Sequence, residues 1–161
     1  GQIDVSSVFG QGTAFTVRLP SSDETVATHT VSGDLPSGAG KILLIDDEME
    51  VAATCAKLLE RLGYDVDVFN DPIKAMQVYK SEPDRFALVI TDLVMPGLSG
   101  SEVCRIVRDL RPACPLVAYS AYQPDGIDFD KAGILRFMHK PIEPAQLARI
   151  ASEMTSLNRA G

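Results

Sequence analysis

"LVITDLVMPGLSG", residues 88–100, is the stretch that decides the fold, because an apolar run ends there on a carboxylate. Residues 86–91, FALVIT, have the continuous apolar character of a strand that is buried on both faces. An ionised carboxylate such as Asp92 is costly to bury unless it is paired, hydrogen-bonded or bound to a metal. Asp92 therefore either begins a turn or is a reactive group fixed at the end of a rigid strand.

Strand and helix patterns alternate on both sides of this stretch. Strands are predicted at residues 41–45, 64–69, 86–91, 115–120 and 135–139. Helices are predicted from Val51 to a stop at Gly63, and at residues 70–81, 101–110 and 143–155. Pro124 and Gly126 interrupt the segment before the last strand, which predicts a short or irregular fourth helix. This order indicates an α/β fold, a doubly wound five-stranded parallel sheet with helices on both faces.

Polar or charged residues end four of the five predicted strands. Asp46 and Asp47 follow the first strand, Asp92 the third and Lys140 the fifth, while Ser120 ends the fourth. In an open parallel sheet, the ligand lies outside the carboxyl ends of the strands. Taken singly, each of these residues is ordinary at a turn, a cap or the surface. The prediction of a site therefore depends on their joint placement.

The chemistry of this set points to phosphate. Three carboxylates at one sheet edge raise one another's pKa unless a cation compensates their charge. Mg²⁺ suits such an edge, because it prefers a few carboxylates, oxygen ligands and several retained waters. A hydroxyl and an ammonium in the same pocket suit the charged oxygens of a phosphoryl group. The combination predicts a Mg²⁺-assisted phosphoryl site in which Asp92 is the nucleophile.

Four segments resemble the signature sequences of response-regulator receiver domains. They are LLIDDE at residues 43–48, ITDLVMPGLSG at 90–100, VAYSAY at 117–122 and FMHKP at 137–141. The resemblance covers about residues 41–157 and implies the flavodoxin-like receiver fold. It also implies that Asp92 accepts a phosphoryl group from phosphohistidine, in a reaction that the receiver itself catalyses together with slow hydrolysis.

The resemblance further implies a set of metal ligands. Asp47 would bind Mg²⁺ directly, and Asp46 would support the ion mostly through water. The backbone carbonyl of Val94 would be a further protein ligand, beside Asp92 itself. Pro96 and Gly100 would shape the loop that follows the nucleophile.

Other residues would hold the phosphoryl group or respond to it. Lys140 would pair with the phosphoryl group, and Ser120 would hydrogen-bond it. Ala121 is small, which leaves room for in-line attack, and the Lys140–Pro141 peptide is a candidate cis bond. Phe137 resembles the switch ring that turns inward when the hydroxyl residue moves toward the phosphate, although a plain core phenylalanine fits the sequence equally well.

The first twenty residues form a separate pattern. Their apolar residues alternate like two strands of a hairpin, and GQGTAF at residues 10–15 matches a Gly-x-Gly-Thr-x-Phe box. The segment resembles the last piece of a histidine-kinase ATP-binding domain. The nucleotide-binding Asn and Asp motifs of such a domain are missing here, so we do not expect productive ATP binding. We predict a hairpin fragment at residues 1–20, a linker at 21–40 and a receiver at 41–157, from the C-terminus of a hybrid sensor histidine kinase.

The amino-acid composition restricts the kinds of partner that this chain is expected to bind. A formal net charge of -7 argues against binding to nucleic-acid phosphates. No apolar stretch approaches the roughly 20 residues that span a membrane, so this fragment is expected in the cytoplasm without membrane contact, from a soluble or a membrane-anchored parent. Three cysteines (Cys55, Cys104, Cys114) lack metal-ligand spacing and are interpreted as reduced core or surface residues.

The expected partner is a histidine kinase or a histidine phosphotransfer domain. Dimerisation through the receiver or through the N-terminal strands is also compatible with the sequence. His29 lacks a helical context and a following acid, so it is rejected as a phosphorylated histidine. His139 is interpreted as an ordinary strand-end residue.

The sequence has two alternatives to the receiver hypothesis, an enzyme and a binding scaffold. A Mg²⁺-dependent phosphatase of the haloacid-dehalogenase type also uses an aspartate nucleophile, but it needs Asp-x-Asp after its first strand, where this chain has Asp46-Asp47-Glu48. A degenerate receiver that serves only as a binding scaffold would not need an intact site. All five residues of the predicted site are present, which argues against a scaffold.

Overall fold

Two antiparallel strands, β1 (Gln2–Val8) and β2 (Gly12–Arg18), form the N-terminal unit of the computed structural model. Ile3 pairs with Val17 and Val5 pairs with Phe15, so these four apolar side chains share one face of the hairpin. Gly10 adopts a positive φ of 76° in the turn, a conformation that favours glycine. The predicted hairpin is confirmed, and one of its faces is apolar.

The chain divides into two compact units, Gly1–Ser32 and Gly33–Gly161. The structure describes residues 1–20 of the first unit and residues 35–122 and 128–159 of the second. Among these residues, no helix combines the length and the apolar character that crossing a membrane requires.

The second unit alternates strands and helices. Its strands are β3 (Lys41–Ile45), β4 (Asp65–Phe69), β5 (Leu88–Asp92), β6 (Leu116–Ser120) and β7 (Arg136–His139). Its helices are α1 (Met49–Arg61), α2 (Pro72–Ser81), α3 (Gly100–Leu110), α4 (Phe129–Ala132) and α5 (Pro144–Arg159), and a 3₁₀ turn spans Pro83–Arg85. Each predicted strand is found within about two residues of its expected ends, which is the usual uncertainty of such assignments.

The five strands form one parallel sheet in the order β4-β3-β5-β6-β7. The chain leaves β3 toward β4 on one side and returns to β5 on the other, so the topological switch point lies between β3 and β5. Residues of α1 and α5 pack on one face of the sheet, and residues of α2 and α3 pack on the other. The predicted doubly wound fold is confirmed.

Local signals explain where the helices begin. The Asp71 carboxylate accepts hydrogen bonds from the backbone N–H groups of Ile73 and Lys74 at 2.9 and 3.3 Å, which makes Asp71 the N-cap of α2. Ser99 and Glu102 form a reciprocal capping box at the start of α3. The Ser-x-x-Glu spacing is visible in the sequence and marks this start more sharply than the apolar periodicity does.

The fourth helix is short, as predicted. α4 contains four residues, with Asp128 as its N-cap and Gly133 at its end in the left-handed conformation, at a φ of 74°. Pro124 and Gly126, on which the prediction was based, lie outside the described residues.

All three cysteines are core residues. Cys55, Cys104 and Cys114 are buried and form no disulfide. Burial raises the pKa of each thiol, and that of Cys104 to about 12. Because the thiolate is the reactive form, these side chains contribute packing and not nucleophilic chemistry.

The end of the predicted linker packs on the second unit. The Leu35 side chain is half-buried against the core on the α1 and α5 face. The Gly38 N–H donates to the Leu62 carbonyl at 2.9 Å, and the Asp65 N–H donates to the Gly40 carbonyl at 3.0 Å. A Cβ atom on Gly38 would lie 2.0 Å from the Tyr64 hydroxyl oxygen, so glycine is required for this close approach. Residues 35–40 therefore belong structurally with the sheet that follows them.

Two truncations test this packing. Removal of residues 1–40 should lower the melting temperature by several degrees more than removal of residues 1–34, because only the longer truncation removes Leu35 and the backbone hydrogen bonds of Gly38 and Gly40. Thermal unfolding followed by circular dichroism measures the difference. Equal melting temperatures would show that residues 35–40 contribute nothing to the fold.

Candidate functional site

The carboxyl ends of β3 and β5 bring three carboxylates together at the switch point. One carboxylate oxygen from each of Asp46, Asp47 and Asp92 lies within 4.8 Å of the others. Asp46 and Asp92 are buried, at 0% and 3% exposure, whereas Asp47 is exposed. The predicted convergence of these residues is therefore present, with one carboxylate facing solvent and two held in the protein.

Lys140 supplies the positive charge of the site. Its ammonium Nζ lies 2.6 Å from Asp92 Oδ2, 2.7 Å from Glu48 Oε1 and 3.2 Å from Asp46 Oδ2. Burial alone would lower the pKa of Lys140, but the hydrogen bonds to Asp92 and Glu48 and the charge of Asp46 raise it overall. The peptide bond between Lys140 and Pro141 is cis, as predicted.

Asp46 is the most deeply buried acid of the site. Burial raises its pKa, against the opposing effects of a hydrogen bond from the Tyr119 hydroxyl, one from the Glu48 backbone N–H and the charge of Lys140. The Tyr119 hydroxyl donates to Asp46 Oδ2 at 2.7 Å, and the Glu48 N–H donates to Asp46 Oδ1 at 2.8 Å. These donors hold the carboxylate in one orientation.

The loop after β5 is built around Asp92. The Val94 N–H donates to Asp92 Oδ1 at 2.9 Å, while the Val94 side chain is exposed. A Cβ atom on Gly100 would lie 2.2 Å from the Asp92 carbonyl oxygen, so only glycine allows α3 to begin against this strand end. The role predicted for the Val94 carbonyl stays a prediction.

Ser120 and Phe137 lie on neighbouring strands. Ser120 is buried at the end of β6, and its Oγ accepts a hydrogen bond from the Tyr122 N–H at 3.4 Å. The half-buried Phe137 ring stacks on Phe129 with 5.3 Å between centroids and meets the His139 ring edge-on at 4.8 Å. Phe137 is thus placed between the sheet and α4, and its role as a switch stays a prediction.

The donor set fits a hard divalent cation. Three carboxylates within 4.8 Å of one another supply oxygen ligands only, and Asp47 is open to solvent, where waters can complete the coordination. Two of the three are buried, and both contact the Lys140 ammonium. Mg²⁺ is therefore compatible with this part of the site.

Two contacts of the site were not predicted from the sequence. Glu48 pairs with Lys140, and Tyr119 bonds Asp46. A tyrosine inside the fully buried strand LVAYS is a signal for the second contact, because a buried phenol usually needs a hydrogen-bond partner. For the exposed Glu48, its place after two other acids is the only hint.

An apolar groove opens beside the charged residues. It has a volume of about 650 Å³, and Val51, Cys55 and Ile142 line it together with Ala121 and Lys140. The groove runs along α1 and reaches the ammonium of the site. A partner that lies in it would therefore have access to the charged residues.

Substitution of Lys140 tests the charge balance. Lys140→Met leaves two buried carboxylates without their cation, so the free energy of unfolding without Mg²⁺ should fall by about 3 kcal/mol. Added Mg²⁺ should raise the melting temperature of the variant more than that of the wild type, because the ion then replaces the positive charge that the substitution removed. Lys41→Met is the control, since Lys41 also bridges two carboxylates, Asp65 and Asp67, at the opposite end of β3. An equal response of both variants to Mg²⁺ would contradict this account.

Known proteins resemble this chain in sequence and in fold. The family model described as response regulator receiver domain matches residues 42–152. The crystal structure of the receiver domain from the hybrid histidine kinase CckA superposes with a TM-score of 0.62, at 28% identity, over 72% of this chain and 99% of that chain.

Curated relatives extend the similarity beyond the receiver. Sensor histidine kinase AruS of Pseudomonas aeruginosa is 30% identical over 96% of this chain and 16% of its own length. Aerobic respiration control sensor protein ArcB of Escherichia coli is 31% identical over 93% of this chain and 20% of its own length. The chain thus spans a fifth or less of these two relatives. The family model covers residues 42–152, which is more than half of the chain, so the chain belongs to the family of response regulator receiver domains.

Proposed function

We propose that this receiver is the phosphoacceptor of a two-component phosphorelay and takes a phosphoryl group from phosphohistidine onto Asp92. The contact between Lys140 and Asp92 carries this proposal, because an ammonium 2.6 Å from the buried carboxylate holds it in place and puts positive charge beside it. Phosphoryl transfer depends mainly on positioning and charge stabilisation, which this pair offers.

In the proposed transfer, a carboxylate oxygen of Asp92 attacks the phosphorus of phosphohistidine. The phosphorus–oxygen bond forms as the phosphorus–nitrogen bond breaks, and the imidazole nitrogen keeps the electron pair and takes up a proton. The Val94 N–H and the Lys140 ammonium each hold one oxygen of Asp92, which limits its rotation before the attack. Lys140 can then pair with the phosphoryl oxygens, and the Ser120 hydroxyl can donate a hydrogen bond to one of them.

Asp46, Asp47, Asp92 and the Val94 carbonyl would hold Mg²⁺ in this proposal. The ion would compensate charge that builds up on the phosphoryl oxygens during transfer. The fit of the three carboxylates to a hard cation supports this assignment.

The proposed phosphodonor is a histidine kinase or a histidine phosphotransfer domain. A donor histidine has to reach Asp92 from outside the sheet edge, and the groove along α1 opens at Lys140 and Ala121. Its apolar residues Val51 and Ile142 suit the apolar face of a partner helix. We propose this groove as the surface on which the donor docks.

The parent is proposed to be a hybrid sensor histidine kinase. AruS, named as a sensor histidine kinase, and ArcB, named as a sensor protein, match more than nine-tenths of this chain, whereas the transcriptional regulatory protein PhoP of Bacillus subtilis matches 66% of it. The longer matches include sequence that precedes the receiver, where the hairpin lies. Residues 1–20 are therefore proposed as the last hairpin of the kinase ATP-binding domain, and its apolar face would pack on the rest of that domain.

Labelling with acetyl phosphate or with a phosphohistidine donor tests the acceptor. Asp92→Asn should abolish labelling, Asp47→Ala should reduce it steeply, and Lys140→Ala should spare metal binding but weaken the phosphorylated state. The label should be stable to acid and labile to alkali and hydroxylamine, as an acyl phosphate is, and EDTA should prevent it.

Asp109→Asn is the matched control for labelling, because Asp109 lies exposed on α3 and pairs with Arg105 one turn away at 3.4 Å. It should label like the wild type. Labelling of Asp92→Asn at the wild-type rate, or labelling that ignores EDTA, would contradict the proposal. Turnover of free phosphomonoesters would instead support the phosphatase alternative.

The proposed switch is tested with beryllofluoride, which mimics the phosphoryl group. In the wild type it should shift the NMR resonances of Ser120 and Phe137 and of the backbone between them. Ser120→Ala should still be phosphorylated but should show a weaker shift at Phe137, because a ligand moves a two-state element only through contacts that differ between the states. Ser156→Ala is the control, because the Ser156 hydroxyl donates to the Ser152 carbonyl within α5 at 2.8 Å. Equal responses in the wild type and Ser120→Ala would remove Ser120 from the switch.

A further inference from the structure

Tyr119 is a buried aromatic residue that touches both charges of the site. It is fully buried near the end of β6, and its hydroxyl donates to Asp46 Oδ2 at 2.7 Å. Its ring also lies under Lys140, with the ammonium 5.3 Å from the ring centroid, within the range of a cation–π contact. One side chain therefore contacts the carboxylate after β3 and the ammonium after β7.

The position of Tyr119 requires a long side chain. β6 is separated from β3 by β5, so the two strands lie about 10 Å apart in the plane of the sheet. The Tyr119 side chain lies on the α1 and α5 face of the sheet, in the same core cluster as Ile90 of β5 and Met138 of β7. A shorter apolar residue at this position would fill part of the same core but could not reach Asp46.

The other donors to Asp46 do not replace the phenol. The Glu48 N–H binds Oδ1, and Lys140 lies 3.2 Å from Oδ2 while it also pairs with Asp92 and Glu48. Of the two groups near Oδ2, Lys140 is shared with other carboxylates, whereas the Tyr119 hydroxyl donates to Asp46. It therefore fixes the Oδ2 side of Asp46 from within the core.

We propose that Tyr119 is a positioning residue for the metal site and holds Asp46 in the orientation that supports a divalent cation. The inference rests on the proposed function, in which Asp46 helps to hold Mg²⁺. Groups that hydrogen-bond a metal-supporting side chain typically contribute 10- to 100-fold to metal affinity. Mg²⁺ tolerates little deviation from its preferred geometry, so loss of the phenol should be felt directly at the ion.

Metal binding to the full chain without a phosphodonor provides the first test. Tyr119→Phe removes the hydroxyl and keeps the ring, and isothermal titration should show Mg²⁺ binding about tenfold weaker than in the wild type. Tyr64→Phe is the matched control, because the Tyr64 hydroxyl is also buried in this core and lies 3.5 Å from Thr155 Oγ1, on α5. The control should bind Mg²⁺ like the wild type.

The dependence of acetyl phosphate labelling on Mg²⁺ separates positioning from general damage. Tyr119→Phe should need about tenfold more Mg²⁺ for half-maximal labelling and should recover most of the rate when Mg²⁺ saturates. Tyr119→Leu also removes the ring beneath Lys140, so in protein that circular dichroism shows to be folded its rate should stay low at saturating Mg²⁺. A variant that is merely misfolded would lose rate at every Mg²⁺ concentration.

A double-mutant cycle tests whether Tyr119 acts through Asp46. Asp46→Asn removes the carboxylate to which the Tyr119 hydroxyl donates. In this background, Tyr119→Phe should therefore leave Mg²⁺ affinity at the value of the Asp46→Asn variant. Additive losses in the double variant would overturn the inference, as would unchanged Mg²⁺ affinity in folded Tyr119→Phe. Absence of Mg²⁺ binding by the wild type would overturn the proposed function itself, which distinguishes the two failures.

A wild-type measurement covers the case in which Tyr119→Phe does not fold. In protein labelled with 3-fluorotyrosine, Mg²⁺ should shift the fluorine resonance of Tyr119, assigned by elimination with phenylalanine variants of Tyr64, Tyr79 and Tyr122. The resonances of Tyr64 and Tyr79 should not move, because neither side chain contacts the three aspartates of the site. An unmoved Tyr119 resonance at saturating Mg²⁺ would overturn the inference.

Discussion

The crowding of carboxylates around one ammonium is the constraint on which the rest of this site depends. Lys140 lies within 3.2 Å of oxygens from Asp46, Glu48 and Asp92, and two of these acids are almost completely buried. A buried ion pair is a weak source of stability, because desolvation offsets much of the attraction. The apolar clusters on the two faces of the sheet therefore supply most of the free energy of folding, and they offset the cost of burying the charged groups at its edge.

The backbone explains how such a crowded edge is kept in place. The Asp46 N–H donates to the Phe69 carbonyl, the Leu93 N–H to the Tyr119 carbonyl and the Lys140 N–H to the Ser120 carbonyl, each at 3.0 or 3.1 Å. Every strand end of the site is thus bonded to the neighbouring strand. The freedom left to the functional groups lies mainly in side-chain rotation, and the Val94 N–H and Tyr119 hydroxyl restrict it further for Asp92 and Asp46.

The sequence predicted the parts of this structure that depend on periodicity and on strand ends. Alternating apolar runs fixed the order of strands and helices, and parallel strands necessarily place Asp46, Asp92 and Lys140 at one edge. Contacts that depend on side-chain reach across the sheet were not predicted. In the sequence, Tyr119 is one residue of a buried strand. Its hydrogen bond to Asp46 is visible only in the structure, which shows that the side chain spans the distance from β6.

The boundary of the receiver shows a second limit of sequence reasoning. Residues 35–40 have the composition of a linker, with several small residues and one proline, and no apolar periodicity marks them as folded. Their attachment comes from backbone hydrogen bonds of Gly38 and Gly40 and from the absence of a side chain at Gly38 next to Tyr64. Composition cannot distinguish a glycine that loosens a chain from one that allows it to pack closely.

The ring of Phe137 connects the charged edge of the sheet with the short helix α4. Ser120 pairs with His139 across β6 and β7, His139 meets Phe137 edge-on, and Phe137 stacks on Phe129 of α4. α4 has only four residues, so few backbone hydrogen bonds of its own hold it. In the proposed switch, a movement of Ser120 toward a phosphoryl group would act on α4 through these two ring contacts, whereas the longer helices α1 and α5 bury residues against the sheet.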